Sequence, residues 1–300
     1  MPVRNGAHFL PTILETVFSS VEQNDEVIII DDGSNDGTNK ILTSWIKRFP
    51  QLRFISTPGL GLVSALNLGL AESTNKWIAR YDVDDKYPIN RLSKQRRFIS
   101  NDIGAVFCDY SIWSEKIKNV GVLPNAVQKS AVSISLSNSQ RTPHPGVLFN
   151  REKVISVGSY QEDDFPAEDL SLWLRLSRIS DLVGVPEVLL NYRISRTSIS
   201  GTKRNLALKK SHEVRKLYPI NPADIQYCEE NFEELCQIYD KYSYKSERKI
   251  LLILDLIKAH QLNGTNVNLP RKFVRDLLLD LSTYKAGFGL VKTKLLKKII

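Results

Sequence analysis

Three hundred residues, 42% hydrophobic and 25% charged, are enough to bury a full core in one large domain or one domain with an appendage. No apolar run approaches the roughly 20 residues that span a bilayer, and Met1-Pro2-Val3-Arg4-Asn5-Gly6 lacks the apolar stretch of a signal peptide, so the sequence reads as cytoplasmic. The net charge of +8 sits in the last third, since residues 1–200 hold 22 basic and 22 acidic side chains and residues 201–300 hold 19 and 11.

In chain order, the first strand expected is Val27-Ile28-Ile29-Ile30, a continuous β-branched run suited to a parallel strand buried on both faces. Helical spacing from Asn39 to Phe49 leads to a strand at Arg53-Phe54-Ile55, and a helix from Leu62 to Glu72 leads to one at Trp77-Ile78-Ala79-Arg80-Tyr81. A helix from Pro88 to Ser100 then precedes a strand at Ala105-Val106-Phe107-Cys108. This alternation predicts an α/β fold, a mostly parallel sheet flanked by helices, over residues 1–204. Beyond 205 the strand signals stop, and Glu229–Leu235 and Ile250–Ile257 carry helical periodicity, so residues 205–300 are expected to form a helical C-terminal region. Cys108, Cys228 and Cys236 have no metal-ligand spacing and read as small core residues.

Three acidic constellations carry the chemistry. Asp31-Asp32-Gly33-Ser34-Asn35-Asp36-Gly37-Thr38 follows the first buried strand; by itself it is equally a turn that ends in a helix cap. Its position favours more, because open α/β sheets bind ligands beyond the carboxyl ends of their strands. Asp82-Val83-Asp84-Asp85 puts three carboxylates in four residues, all ionised at neutral pH given an ordinary Asp pKa of about 3.9. Such crowding favours a cation, and a hard ion such as Mg²⁺ or Mn²⁺ would neutralise both the cluster and a bound diphosphate. Glu168-Asp169 opens a helix whose buried stripe is Leu170, Trp173 and Leu174; acidic residues there are good helix starters, and one could also accept a proton from an attacking hydroxyl. Acidic clusters after strands also serve phosphoryl chemistry, but neither a phosphate-cradling Gly-rich loop with Lys nor an aspartyl nucleophile beside a base is evident.

The order of these pieces resembles the family 2 glycosyltransferases, which have a GT-A fold. Eight stretches match in sequence: Pro2–Gly6, Asp31–Thr38, Ala65–Leu70, Ile78–Asp85, His144–Val147, Gly158–Tyr160, Ala167–Leu176 and Pro186–Arg193. The resemblance implies that Pro2, Arg4 and Asp32 meet the nucleoside, commonly uridine, and that Asp82 lies on the ribose side. It implies that Asp84 and Asp85 hold the divalent metal bridging the diphosphate. Asp169 matches the general base, so the implied reaction is transfer from a nucleotide-diphosphate sugar to an acceptor hydroxyl with inversion, in cell-surface polysaccharide or glycolipid synthesis.

Two features depart from the family. The chain begins at Met1-Pro2 without the apolar strand that usually precedes this element, so the first strand is expected to be truncated, by a start placed upstream of Met1. Ser195 stands where relatives often carry a metal-binding His, and a hydroxyl is a poorer ligand. These departures are what favour the alternative, a catalytically impaired nucleotide-sugar-binding protein. Residues 288–300 contain four lysines and no acid, with Val291, Leu295, Leu296, Ile299 and Ile300 on one half of a helical wheel. They suit peripheral contact with an anionic membrane face and a lipid-linked acceptor, or equally a helix docked on its own domain. No nucleic acid partner is expected.

Overall fold

A computed structural model of the chain describes residues 1–116, 121–138, 142–195 and 198–263. The chain starts in a two-residue strand, Pro2–Val3 (β1), followed by helix Leu10–Phe18 (α1), strand Val27–Asp32 (β2), helix Thr38–Ile46 (α2), strand Leu52–Thr57 (β3) and helix Leu62–Glu72 (α3). In α1 the apolar residues recur at Leu10, Ile13, Leu14 and Val17, and all four are buried. All six residues of β2 are buried, as its β-branched run requires. The first sheet has the order β1-β2-β3 and is parallel throughout. Strand β3 matches β2 from Val27↔Leu52 to Asp32↔Thr57, whereas β1 pairs only as Pro2↔Ile30 and Val3↔Asp31. The first strand is short: among the described residues β1 pairs with this edge of β2 only from Ile30 on, with the Met1 amine donating to the Ile28 carbonyl at 2.8 Å.

The second sheet is mixed. Strand Trp77–Ala79 (β4) is followed by helix Arg91–Arg96 (α4), strands Ile103–Trp113 (β5) and Gly121–Leu123 (β6), and helix Lys129–Asn138 (α5). Strand Leu148–Asn150 (β7), helix Arg151–Ser156 (α6), a 3₁₀ turn at Glu162–Asp164, helix Glu168–Leu176 (α7) and strand Asp181–Arg193 (β8) complete this half. Strand β7 runs antiparallel between β4 and β5, β6 pairs antiparallel with β5, and β8 lies parallel along the other edge of β5. Trp173, fully buried on α7, meets the edge of Phe107 of β5 at a centroid distance of 5.4 Å and an interplanar angle of 85°, and so clamps helix to sheet. The helix expected over Pro88–Ser100 is shorter at both ends, with α4 spanning only Arg91–Arg96.

Every described element after β8 is helical: Ile199–Thr202 (α8), Arg204–Leu217 (α9), Pro222–Glu230 (α10), Phe232–Tyr239 (α11) and Lys245–Asn263 (α12). The periodic run Glu229–Leu235 is divided at Asn231, where α10 gives way to α11. Ala131 and Ile134 of α5 share one core with Ile225, Phe232, Leu235 and Leu256, so these helices pack on the first 200 residues through α5. The contact is locked by the buried guanidinium of Arg248, which donates to Asp109 of β5 and to the Asn125 carbonyl. All three cysteines are buried and unbonded to one another, as expected of core residues. None of the described helices is long and apolar enough to cross a membrane. Residues 288–300, the candidate membrane-contact segment, lie outside the described residues.

Candidate active site

The carboxyl end of β2 is built as a rigid floor. Gly33 adopts φ 73°, and a Cβ there would come within 2.9 Å of the Gly59 nitrogen, so glycine alone lets the Asp-Asp-Gly turn press against the Pro58-Gly59 turn. Asp32 Oδ1 accepts hydrogen bonds from Thr57 Oγ1 and the Leu60 amide, both at 2.6 Å, and Oδ2 accepts from the Gly61 amide at 2.9 Å. Burial acts to raise the Asp32 pKa, but these three donors and the nearby Arg4 guanidinium hold it below the usual carboxylate range. Arg4 lies about as close to Gly59, its Nη1 being 3.8 Å from where a glycine Cβ would stand. Asp36 serves the fold: it accepts from the Ala7 amide and from Thr38, tying the Asn5–Ala7 loop to the start of α2.

The second carboxylate group follows β4, and two of its three members are paired with an arginine. Asp82 pairs with the buried Arg80 at 2.6 Å, and its amide donates to the Tyr87 hydroxyl at 2.8 Å. Asp84 pairs with Arg193 Nη1 at 3.1 Å. Asp85 is buried; its Oδ1 accepts from the Arg193 amide at 2.6 Å, and its Oδ2 has no hydrogen-bond partner. Burial, followed by the charge of Asp82, raises the pKa of both Asp84 and Asp85, with Arg193 opposing. A two-way backbone bridge between Lys86 and Asn191 brings this loop onto the end of β8, which is why Arg193 reaches it. Arg193 also pairs with Glu115 at 2.6 Å and lies over the Phe9 ring at 4.9 Å.

The third group opens α7. Glu168 is buried with an unpartnered Oε2, and burial, then the neighbouring Asp169 charge, raises its pKa to about 8. Asp169 is half-buried, with Oδ1 accepting from the Leu170 amide at 2.7 Å. His144 Nε2 lies 2.9 Å from the Tyr160 hydroxyl; burial, reinforced by Arg80, drives its pKa well below 6.5, so the imidazole is neutral. Asn67 of α3 clamps Tyr160 through two bonds, its Nδ2 donating to the Tyr160 carbonyl at 2.9 Å and its Oδ1 accepting from the Tyr160 amide at 3.1 Å.

These groups converge. The charges of Asp169, Arg80 and Asp82 all act on Glu168, and those of Arg80, Asp169, Glu168 and Asp82 act on Tyr160, so the ends of β4 and α7 face one electrostatic neighbourhood. Pro2, Arg4 and Asp32 lie at the neighbouring end of the first sheet. Arg80, Tyr160 and Arg193 belong to the site without having been singled out in the sequence. Arg80 could have been found, since it lies two residues before Asp82 in the acidic stretch and carries the opposite charge. Arg193 could not, because 108 residues separate it from Asp85.

Among the described residues, no group of three or more His, Cys, Asp or Glu side chains forms a metal cage. The local chemistry nevertheless suits a hard cation: the free buried Oδ2 of Asp85 and the partly exposed carboxylate of Asp84 are oxygen ligands, and Mg²⁺ or Mn²⁺ takes only one or two carboxylates beside substrate phosphates.

A parallel half joined to a mixed half, with carboxylates at their common end, has the GT-A fold of solved glycosyltransferases. The chain aligns with the structure of the mannosyltransferase PcManGT from Pyrobaculum calidifontis in complex with GDP-Man and Mn²⁺, at a TM-score of 0.59 and 16% identity over 95% of this chain and 79% of that one. Residues 1–144 match the model of glycosyl transferase family 2. It is 29% identical over 192 residues to the amylovoran biosynthesis glycosyltransferase AmsE of Erwinia amylovora, covering 61% of this chain and 70% of that protein. It is 26% identical over 200 residues to the UDP-Gal:α-D-GlcNAc-diphosphoundecaprenol β-1,3-galactosyltransferase of Escherichia coli, covering 65% and 72%. The protein is a glycosyltransferase.

Proposed function

We propose that this enzyme transfers a sugar from a UDP-sugar to a hydroxyl of a lipid-linked or polysaccharide acceptor, with inversion at the anomeric carbon and Asp169 as general base. The observation that carries the reading is the division of labour at the start of α7. Glu168 is buried and holds its proton near neutral pH, so Asp169, the half-buried member, is the carboxylate left to meet an acceptor. Lipid-linked acceptor chemistry is supported by the E. coli relative, whose name specifies a UDP-sugar donor and a diphosphoundecaprenol-linked acceptor.

In this reading Arg4 and Asp32, held beside the Pro58–Gly61 turn, receive the nucleobase end of the donor, and Asp82, oriented by Arg80, faces the ribose. Asp84 and Asp85 would hold a divalent cation, which supplies neutralisation of the diphosphate leaving group. Arg193, already paired with Asp84, adds positive charge on the same side. Asp169 accepts the acceptor's hydroxyl proton as the oxygen attacks the anomeric carbon and the carbon–oxygen bond to the diphosphate breaks; base catalysis of this kind contributes roughly 10²- to 10⁴-fold. Neutral His144 is hydrogen-bonded to Tyr160 and adds no charge there.

Incubating the purified protein with a panel of UDP-, GDP- and dTDP-sugars and a polyprenyl-diphosphate sugar acceptor, with and without chelator, tests the proposal. Acceptor-dependent release of UDP from one UDP-sugar, suppressed by chelator, is the expected result. Release from a GDP- or dTDP-sugar alone overturns the donor assignment, and indifference to chelator overturns the role given to Asp84 and Asp85.

A further inference from the structure

Arg193 holds a place at Asp84 that a metal ion would contest. Its main-chain N–H donates to Asp85 Oδ1 at 2.6 Å, which pins the end of β8 to the acidic loop. Beyond that anchor the guanidinium forks, with Nη1 on Asp84 Oδ2 at 3.1 Å and Nη2 on Glu115 Oε1 at 2.6 Å. The ring of Phe9, the residue that opens α1, lies 4.9 Å from the guanidinium. Three separate segments therefore hold one side chain: the acidic loop, the chain just past β5 and the start of α1.

The two carboxylates on the fork differ in depth. The Asp84 side chain is 31% exposed and that of Glu115 70%, against 13% for Arg193, so Asp84 is the inner contact and Glu115 the outer one. Arg193 Nε is buried without a hydrogen-bond partner, so this position leaves one of the five guanidinium donors unsatisfied. Asp84 also adjoins Asp85, whose buried Oδ2 has no hydrogen-bond partner. Neighbouring carboxylates repel unless a cation offsets them, and at Asp84 that cation is Arg193. A divalent ion on the same carboxylate would meet a like charge a few ångström away, so the two cations compete for Asp84.

We propose that Arg193 is a tethered counter-ion: its guanidinium swings from Asp84 out to Glu115 as a divalent cation takes Asp84, while its main chain stays anchored on Asp85. The inference rests on the reading of Asp84 and Asp85 as the metal side of the site. Arg193 and Glu115 are then positioning residues that set metal affinity through Asp84. A consequence is coupling between metal and nucleotide. Alone, an ion has to displace Arg193 with no further compensation, whereas diphosphate oxygens give both the ion and the released guanidinium new acceptors, so each ligand favours the other.

The test follows Mn²⁺ binding to the full chain without nucleotide, through loss of the free-ion electron paramagnetic resonance signal, and UDP binding by calorimetry with and without Mn²⁺. Arg193→Met is expected to bind Mn²⁺ about tenfold or more tightly than the wild type, because a like charge at close range is gone. Glu115→Gln, a change at an exposed position, has the opposite sign: without its outer contact the guanidinium stays on Asp84, and Mn²⁺ binding should weaken about two- to fivefold. Added to Arg193→Met, the same Glu115 change should have no effect, whereas a direct pull of Glu115 on the ion would persist there. UDP binding that responds to Mn²⁺ in the wild type, with Mn²⁺ affinity unchanged in Arg193→Met, overturns the counter-ion role and leaves the metal reading standing. Unchanged or tighter Mn²⁺ binding in Glu115→Gln, or an equal Glu115 effect in both backgrounds, also overturns it. UDP binding indifferent to Mn²⁺ in every variant, with no Mn²⁺ bound by Arg193→Met, overturns the metal reading and the inference together.

Discussion

Glu168→Gln isolates the electrostatics of the α7 start. The carboxyl has a pKa of about 8 in the folded protein against an ordinary 4.5, raised by burial and then by the Asp169 charge. Below pH 4.5 it is protonated in folded and unfolded chains alike and carries no penalty. As pH rises from 4.5 to 8 the unfolded chain releases a proton that the folded chain keeps, so stability is lost progressively through this window. At about 1.36 kcal/mol per pH unit the loss is about 3 kcal/mol at pH 7 and about 5 kcal/mol once pH passes 8. Glutamine has nearly the same shape and no proton to lose. The assay is urea unfolding of both proteins at pH 5, 6, 7 and 8.5, read as the difference between them so that other titrations cancel. Glu168→Gln should gain on the wild type by about 1 kcal/mol per pH unit across the window. A difference that does not change with pH would refute the assignment of a buried, protonated Glu168.

Arg248→Met should leave Asp109 buried and uncompensated, costing about 3–5 kcal/mol in urea unfolding, and Asp109→Asn added to it should recover part of that loss. Trp173→Ala should cost about 3–5 kcal/mol by emptying the space between Phe107 and α7. Thr57→Val removes one of the donors that hold the Asp32 pKa down. The stability that Asp32 contributes is present above the ordinary carboxylate range and lost as pH falls through its lowered folded value, so the wild-type advantage over Thr57→Val should shrink on acidification, as thermal melts between pH 7 and pH 3 would register.

The first, parallel sheet was legible because its signals are local. The Val27–Ile30 run suits a buried parallel strand, which it forms, and the Asp-Asp-Gly turn expected after it has its glycine at positive φ against Gly59. Helix α3 matches its predicted span, since its apolar face is continuous. Strand β8, thirteen residues long, was not read as a strand because Pro186, Glu187, Asn191 and Arg193 interrupt its hydrophobic pattern; its register shifts along β5 and its parallel pairing there are tertiary facts. Short β7 has the same origin, since three residues carry no periodicity. At the site, the carboxylates were found from their clustering, whereas Arg193, which pairs with Asp84, and Tyr160, which meets His144, come from distant segments joined by the Lys86–Asn191 bridge and the Asn67 clamp. Asp36 looked like part of the acidic motif and instead fastens a loop, because a side chain two residues before Thr38 reaches that amide more readily than a ligand.

The base role proposed for Asp169 is open to a direct test. Comparing wild type with Asp169→Asn, with transfer measured by acceptor-dependent UDP release and donor binding by calorimetry on the same preparations, tests it directly. A fall in transfer of roughly 10²- to 10⁴-fold with donor affinity changed by less than about threefold is the predicted result. Transfer near the wild-type rate, or a parallel collapse of donor binding, would contradict it.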